Sequence, residues 1–442
     1  MAIPFLERFK TSEVWRNLFK MLSSATLAQV FPILVYPFLT RIFTPEKFGL
    51  LALYQSIYAV LIIPATGRYE FAVMLPEKDR DAMNILGFGT LLSVSVSIFI
   101  LLIAFLFSAP LAKMLGDPDI QSWLPWIPLS VFFAAFCLLL TYWANRKKEF
   151  NYMATYNIFQ SMGIAFGKLG FGYGGMRSGG LIAGTLFGQA ISTIQLGWQL
   201  IRKYRSYLAD IRWKEMFTQA KKYINFPKFR MLHAMTNVFS ASLPVFIFTS
   251  YFSPAIAGYW SIAFGVVYKP ITVFASSITQ VFSQRMIERS NKGEIIYKQV
   301  KELILRLLLI GIVPFGIAAV IAPTVFGFVF GHKWYISGVY LRLILPWLLS
   351  VYLTAPLAFI ADLAGQQRIQ FGLAFANLVL RFIAMLIGIL TKNILLALGL
   401  LSLGGVIVNF YYLLWYLSLS KKVLRVSDTY APRDSQGDPG EA

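Results

Sequence analysis

Long apolar runs recur along the whole chain, and they limit the folds that it can adopt. A helix needs about 20 apolar residues to cross roughly 30 Å of hydrocarbon. Because the bilayer core holds no water for backbone groups, such runs cross it as helices, whose hydrogen bonds are internal. Twelve runs reach this length, to within a few residues at each end: 18–40, 47–66, 84–108, 122–143, 152–175, 178–201, 229–251, 257–283, 303–323, 336–360, 370–391 and 394–418. The sequence therefore predicts an all-α membrane protein with about twelve transmembrane helices.

The composition excludes a water-soluble protein. Of the 442 residues, 57% are hydrophobic and only 14% are charged. The connections between the runs are short, and none is large enough for a soluble catalytic domain. We therefore expect the functional residues to lie inside the membrane spans.

The net charge of +20 is compatible with a nucleic-acid partner or with a membrane topology. Twelve spans place both termini on one side, and that side carries 29 of the 40 Lys and Arg residues. The opposite loops carry six of them: Arg41, Lys47, Lys113, Arg177, Lys333 and Lys392. By the positive-inside rule, both termini are cytoplasmic. The basic excess therefore predicts contact with anionic lipids and no nucleic-acid partner.

One hairpin pattern occurs twice, 209 residues apart. Phe-Thr/Ser-Pro-x-x-x-Gly separates two apolar runs at 43–49 and again at 252–258. We expect Thr44 and Ser253 to cap the following helix, whose first residue is a proline with no amide hydrogen. Six spans separate the copies, so both enter the membrane in the same sense. The sequence therefore predicts two six-helix bundles related by a parallel repeat, with a central cavity between them.

The longest polar connection, 202–228, is the natural boundary between these halves, and it contains an amphipathic portion from Leu208 to Tyr223. Aromatic residues among charges near the N-terminus favour a helix at the membrane interface. The last residues are polar and are expected to be disordered. The predicted organisation is an interfacial segment 1–17, a first bundle 18–201, a basic cytoplasmic linker 202–228, a second bundle 229–418 and a tail 419–442.

Cysteine and histidine are too rare for disulfide or metal chemistry. Cys137 is the single cysteine, and His233 and His332 are the only histidines. We therefore predict no metal site, no cofactor and no enzymatic activity.

Cations inside the predicted spans are the main functional candidates, because a charge at the centre of a span costs about 2.5 to 3.5 kcal/mol. These cations are Lys168, Lys269, Arg306, Arg342 and Arg381. Arg306 and Arg342 lie near span ends, where a long side chain can reach the interface. A purely structural cation should have an acid beside it, whereas most Asp and Glu residues lie in loops, termini or span ends. The other three cations therefore predict a water-filled, positively charged cavity.

Polar residues at helical spacing form stripes on five of the spans. The stripes include Gln29, Asn157, Asn237, Ser276 and Asn377. One interpretation is that they line the cavity, and the alternative is that they only hold helices together in lipid.

A cationic cavity with few carboxylates selects anionic cargo and repels cations. Arginine in particular binds a phosphate through two parallel hydrogen bonds. Arg41 and Arg68 lie at opposite ends of the first two spans and are placed to guard the two mouths of the cavity. The alternative is that both are ordinary interfacial anchors.

Three segments carry a resemblance to a known family. They are LAQVFPILVYPFLTRIFTPEKFGLLALY at 27–54, ATGRYEFAVMLP at 65–76 and YKPITVFASSITQVFSQR at 268–285. The chain resembles the Wzx-type polysaccharide biosynthesis proteins, which are flippases for O-antigen and capsule repeat units. This family belongs to the multidrug/oligosaccharidyl-lipid/polysaccharide (MOP) exporter superfamily.

The resemblance implies a two-bundle transporter in the bacterial inner membrane. It would move undecaprenyl-pyrophosphate-linked oligosaccharide to the periplasmic leaflet by alternating access, with the headgroup held in a cationic cavity. A polysaccharide polymerase and a chain-length regulator are further expected partners. The family is discussed as ion-coupled antiporters, for which Glu70 and Asp362 are the coupling candidates here.

Two other functions stay open at this point. A multidrug exporter of the same superfamily should have an acidic cavity for cationic drugs. A membrane glycan polymerase or ligase should have a large outer loop with catalytic residues, and the outer loops here are short.

Overall fold

The computed structural model describes residues 31–176 and 179–422. Within them the chain is helical and contains no β-strand. Twelve main helices follow one another at the positions of the twelve apolar runs. They are α1 (Phe31–Ile42), α2 (Pro45–Thr66), α3 (Asp79–Leu115), α4 (Ile127–Arg146), α5 (Phe150–Tyr173), α6 (Gly180–Lys203), α7 (Met231–Ile247), α8 (Pro254–Asn291), α9 (Tyr297–Phe330), α10 (Tyr335–Thr354), α11 (Gln367–Thr391) and α12 (Ile394–Ser420).

Nine of these regions, all except α1, α5 and α6, are long and apolar enough to cross a membrane. The α1 helix is short within the described residues, and α5 and α6 have 24 residues each but a more polar sequence. The predicted class, an all-α multi-pass membrane protein, is confirmed. The interfacial segment 1–17 and Gln29 lie outside the described residues, as does most of the tail.

Several helices extend beyond the predicted apolar runs. The α8 helix begins before residue 257 and ends after residue 283, and α9 similarly exceeds 303–323. The extensions 284–291 of α8 and 297–302 of α9 are polar, so hydropathy alone could not include them. The basic linker contains two short helices, Arg205–Leu208 and Trp213–Lys222, and the second buries Met216, Gln219 and Ala220.

The chain forms two compact units. The first contains the described residues up to Val266 together with Pro323–Gly338, and the second contains Val267–Ala322 and the described residues from Val339. The division therefore passes through α8, α9 and α10. The assignment of 202–228 as the boundary between two six-helix bundles stays a prediction.

Within the first unit, the two copies of the hairpin pattern pack against each other. A Cβ atom on Gly49 would lie 1.8 Å from the carbonyl oxygen of Pro254. A Cβ atom on Gly258 would lie 1.9 Å from the carbonyl oxygen of Pro45. Each glycine thus contacts the first proline of the other copy, and neither position has space for a side chain. The contact is reciprocal, as expected for two copies related by a local two-fold axis.

The predicted capping is correct for one copy only. The amide of Ile256 donates to the Ser253 hydroxyl at 3.3 Å, as an N-cap requires. Thr44 occupies the equivalent position before Pro45, but its hydroxyl makes no capping hydrogen bond, so the prediction for Thr44 was wrong. The backbone carbonyl of Thr44 still accepts from the amide of Lys47 at 3.1 Å.

Trp334 packs against both copies of the hairpin in the first unit. It is fully buried, and its indole nitrogen donates to the Thr40 carbonyl at 3.1 Å. Its ring meets those of Phe48 and Tyr259 edge-on, at centroid distances of 5.0 and 5.8 Å. The neighbouring Lys333 donates to a carbonyl of the first copy.

Glycines bring α5 and α6 into close contact, as small residues do in membrane helices. A Cβ atom on Gly184 would lie 2.3 Å from the amide nitrogen of Lys168, and one on Gly188 would lie equally close to the amide nitrogen of Ile164. This packing places the backbone of Lys168 directly against α6.

Candidate functional site

Lys168 lies inside the first unit. Its side chain is only 7% exposed, and Ser161, two turns earlier on α5, is also buried. The α5 sequence contains no Asp or Glu. The close α5–α6 packing fixes the position of the Lys168 backbone, and the role of Lys168 as a cavity cation stays a prediction. Asn157, on the same predicted stripe, is half-buried.

Lys269 and Ser276 lie on α8 in the second unit, and both are exposed. The hydroxyls of this stripe bond to their own helix. Those of Thr272 and Ser276 donate to carbonyls three residues earlier, at 2.7 and 2.8 Å, and that of Thr279 donates to the carbonyl four residues earlier. Because backbone carbonyls accept these hydrogens, the oxygen lone pairs are left to accept hydrogen bonds from a ligand.

Arg381 lies on α11 in the second unit, one turn after Asn377. Its guanidinium carbon is 5.0 Å from the centroid of the Trp347 ring, a cation–π contact. The Oδ1 atom of Asn377 is buried and has no hydrogen-bond partner among the described residues. Polar contacts continue between α10 and α12, where Asn409 donates to the Ser350 hydroxyl at 3.0 Å. This part of the second unit therefore has polar side chains in its interior.

Arg342 has a structural explanation that the sequence did not reveal. It donates to the carbonyl oxygens of Ala319 and Val320 on α9, at 2.8 and 2.9 Å. Pro323 lies four residues after Ala319 and has no amide hydrogen for that carbonyl. Arg342 thus satisfies a carbonyl that the helix itself leaves unpaired.

Arg306 also has a local partner. It forms an exposed ion pair with Glu302, one turn earlier on α9. An acid beside the cation is what we expect of a purely structural Lys or Arg. Neither Arg306 nor Arg342 therefore needs an anionic cargo to explain its presence.

The remaining predicted residues are less distinctive. Arg41 is exposed at the end of α1, and Asn237 bonds to His233 at 3.1 Å across one turn of α7. Asp362 is exposed in the short helix Phe359–Leu363. In residues 31–176 and 179–422, no three His, Cys, Asp or Glu side chains come together as metal ligands would. Cys137 is buried.

The predicted cations are divided between the two units. Lys168 belongs to the first unit, whereas Lys269 and Arg381 belong to the second. A cavity shared by all three stays a prediction.

Glu70 is the buried acid of the predicted site. Gly67 and Arg68 both have left-handed backbone angles, with φ of 54° and 62°, so α2 ends sharply before the short helix Tyr69–Ala72. This turn lets Arg68 Nη1 donate to Glu70 Oε1 at 3.1 Å. The Glu70 side chain is completely buried, and its other oxygen has no hydrogen-bond partner among the described residues. Burial raises the pKa of Glu70 above the usual value of a glutamate, and the charge of Arg68 opposes this shift only in part.

Arg230 also lies near Arg68 and Glu70, which the sequence did not predict. The guanidinium carbons of Arg68 and Arg230 lie 5.2 and 5.4 Å from the centroid of the Phe71 ring. The ring of Tyr142 on α4 meets Phe71 edge-on at 5.1 Å. Arg230 is one of nine cations in 202–230, and no sequence signal distinguishes it from the others.

Several solved structures with a similar fold are membrane transporters. An inward-facing multidrug resistance MATE family transporter of the MOP superfamily is 13% identical, with a TM-score of 0.65 over 93% of this chain and 99% of that chain. The lipid II flippase MurJ, in its inward closed conformation, is 13% identical, with a TM-score of 0.67 over 90% of this chain and 89% of that chain. A mutant of the Vibrio cholerae MATE transporter VcmN is 13% identical, with a TM-score of 0.60 over 91% of this chain and 95% of that chain. The fold is therefore that of MOP-superfamily transporters.

The family follows from the sequence match. The family described as "Polysaccharide biosynthesis protein" matches residues 38–338, which is more than half of the chain. The chain therefore belongs to this family of polysaccharide biosynthesis proteins. A search among curated protein sequences gives no significant match.

Proposed function

We propose that the protein is a flippase for oligosaccharide repeat units linked to undecaprenyl pyrophosphate, of the Wzx type. It would move them across the bacterial inner membrane by alternating access, for O-antigen, capsule or exopolysaccharide assembly, with both of its termini in the cytoplasm. Membership of a polysaccharide biosynthesis family and the MOP-transporter fold support this proposal. One solved structure of similar fold is itself titled a lipid II flippase.

The observation that carries the proposal is the sign of the charges on three helices. Lys168, Lys269 and Arg381 lie on α5, α8 and α11. The α5 and α11 sequences contain no acidic residue, and the only one in α8 is near its end, 19 residues after Lys269. Cations without acids on the same helix favour an anion as the transported group.

The chemistry of such a cargo matches the polar residues around these cations. The pyrophosphate would bind Lys168, Lys269 and Arg381, and the guanidinium can donate two parallel hydrogen bonds to it. The sugars would accept and donate hydrogen bonds along the stripes that contain Asn157, Asn237, Ser276 and Asn377. The polyprenyl chain would stay in the lipid. A polymerase and a chain-length regulator would receive the product.

Removing the cations tests the proposal. We expect Lys269→Ala and Arg381→Ala to abolish surface polysaccharide in cells and to stop translocation of lipid-linked oligosaccharide in reconstituted vesicles, at unchanged protein levels. Lys292→Ala, at an exposed cation after the predicted cytoplasmic end of α8, is the matched control and should retain activity. Normal glycan assembly in both cavity variants would contradict the proposal.

A multidrug exporter is the second candidate, because the fold is shared with a multidrug resistance MATE transporter. Efflux of cationic dyes separates the two functions. The flippase should not change dye efflux, whereas an exporter should lower the dye content of cells that express it.

A further inference from the structure

The Arg68–Glu70 pair has chemistry that the proposed cavity does not use. Glu70 is fully buried, and a buried charge is stable only when it is paired and hydrogen-bonded. Its ion pair is with Arg68, which donates one hydrogen bond to Oε1, and hydrogen bonding to its own backbone and to Thr66 also stabilises the charged form. The second carboxylate oxygen has no hydrogen-bond partner among the described residues, and neither does Arg68 Nε. Each member of the pair thus has an unused hydrogen-bonding atom.

Arg68 is also accessible to a ligand. Its side chain is 26% exposed, in contrast to that of Glu70. Arg230 is exposed and lies beside the same Phe71 ring. The two guanidinium groups outnumber the single carboxylate, so this place attracts anions. It lies between α2 and α3, at the predicted cytoplasmic face, where a cytoplasmic cargo would arrive.

We propose that Glu70 and a pyrophosphate headgroup compete for Arg68, so that binding of the headgroup transfers Arg68 to the anion and Glu70 takes up one proton. This inference rests on the proposed function, because the headgroup is that of the lipid-linked cargo. In the exchange, the Arg68–Glu70 ion pair breaks, Arg68 donates to phosphate oxygens, and the Glu70 carboxylate forms an O–H bond with a proton from water.

The electrostatics around Glu70 favour this exchange. Burial raises the pKa of Glu70, whereas hydrogen bonding to its own backbone, the charge of Arg68 and a hydrogen bond to Thr66 lower it. When Arg68 turns to the anion, its lowering effect is lost and the pKa of Glu70 rises further. The other polar groups around the pair are the neutral Thr66 and Tyr142 and the cation Arg230, which borders Phe71. Protonation therefore accompanies anion binding, and affinity increases as pH falls, by at most about tenfold per pH unit for one proton.

Proton-linked binding can be measured on the full chain in phosphatidylcholine nanodiscs. Farnesyl pyrophosphate is the probe, and calorimetry between about pH 6 and pH 8, in buffers of different ionisation heat, gives the protons taken up per bound probe. We expect Glu70→Gln to abolish the proton uptake by the protein. Only the protons that farnesyl pyrophosphate itself takes up should remain. It should also bind the probe more tightly than the wild type at about pH 8, because the competing carboxylate is gone.

Further variants separate the exchange from misfolding. Arg68→Gln should weaken binding by about tenfold or more, and adding Glu70→Gln to it should change nothing further. Arg68→Lys keeps the charge, so it should bind more weakly but retain the proton uptake. Glu294→Gln is the matched control, since Glu294 forms a pair with Arg289 at 3.2 Å but is half exposed. It should behave as the wild type.

Two competitors test whether the site prefers a lipid-linked pyrophosphate. They are inorganic pyrophosphate in solution and phosphatidylglycerol in the nanodisc. Farnesyl pyrophosphate should bind more tightly than either. Equal competition by phosphatidylglycerol would overturn the inference, as would wild-type proton uptake in Glu70→Gln or wild-type binding in Arg68→Gln. A wild type that binds with proton uptake but does not translocate lipid-linked oligosaccharide would contradict the proposed function and support the exchange.

Discussion

Arg342 donates to the carbonyl oxygens of Ala319 and Val320 on α9. A proline at position 323 removes the amide that would pair with the carbonyl of Ala319. In lipid no water replaces that donor, so a side chain from another helix supplies it. The cation is therefore accommodated by the backbone of α9.

This role predicts a loss of stability. Arg342→Met keeps an unbranched apolar stem and removes the guanidinium donors, so we expect the free energy of unfolding to fall by about 1 kcal/mol, as for other hydrogen bonds between membrane helices. The measurement is thermal unfolding in detergent. Arg306→Met is the control, because exposed ion pairs contribute little. Equal melting temperatures for both variants would contradict the assignment.

The five cations show how far the sequence predicts individual residues. Hydropathy identifies each of them, because a charge interrupts an apolar run. It does not identify their partners, since the carbonyl of Ala319 is 23 residues from Arg342 and becomes available only through the packing of α9 on α10. The same holds for Glu70, whose pairing depends on two left-handed residues before it.

At the scale of elements, the contact between the two hairpins predicts that substitutions of Gly49 and Gly258 lower the stability of the protein. Gly49→Ala and Gly258→Ala each place a methyl group within 2 Å of a carbonyl oxygen of the other hairpin. We expect each to destabilise the protein by about 1 to 3 kcal/mol, as overpacking does. Thermal unfolding in detergent is the measurement.

Gly265 on α8 provides the control for this prediction. A Cβ atom there meets nothing within 4 Å, so Gly265→Ala should leave stability unchanged or raise it, because alanine favours a helix. If Gly49→Ala melts at the same temperature as Gly265→Ala, the close approach of the hairpins is wrong.

The order and type of the elements could be predicted, but not all their ends. Each apolar run corresponds to a helix because a bilayer leaves the backbone no other choice. The polar ends of α8 and α9 continue as helices outside the hydrocarbon, where hydropathy has no signal. Thr44 and Ser253 behave differently although they share the motif, and their backbone φ angles, −86° and −166°, differ as well.

At the scale of the whole molecule, the distribution of Lys and Arg predicts the orientation in the membrane. In intact cells, a membrane-impermeant maleimide should label Lys113→Cys and Lys392→Cys. It should label Lys214→Cys and Lys292→Cys only after the cells are permeabilised. The single natural cysteine, Cys137, is buried and gives little background. The opposite labelling pattern would reverse the topology and place Glu70 on the outer side.

The candidate site could be predicted only in parts. The sequence shows cations on helices that lack acids, and the family match independently indicates polysaccharide biosynthesis. The association of Arg68, Glu70, Phe71 and Arg230 required the fold, because Arg230 is 162 residues from Arg68.

The reciprocal contact of Gly49 and Gly258 has the form of an isologous interface, the kind that joins identical subunits in a homodimer. In a homodimer, one substitution appears on both sides of the axis at once. Here the two copies of the hairpin are separate segments of one chain. A substitution in one copy therefore leaves the sequence of the other unchanged. Fusion of the copies into one chain thus frees the partners to diverge, as the glutamate and phenylalanine after Pro45 and the alanines after Pro254 already have.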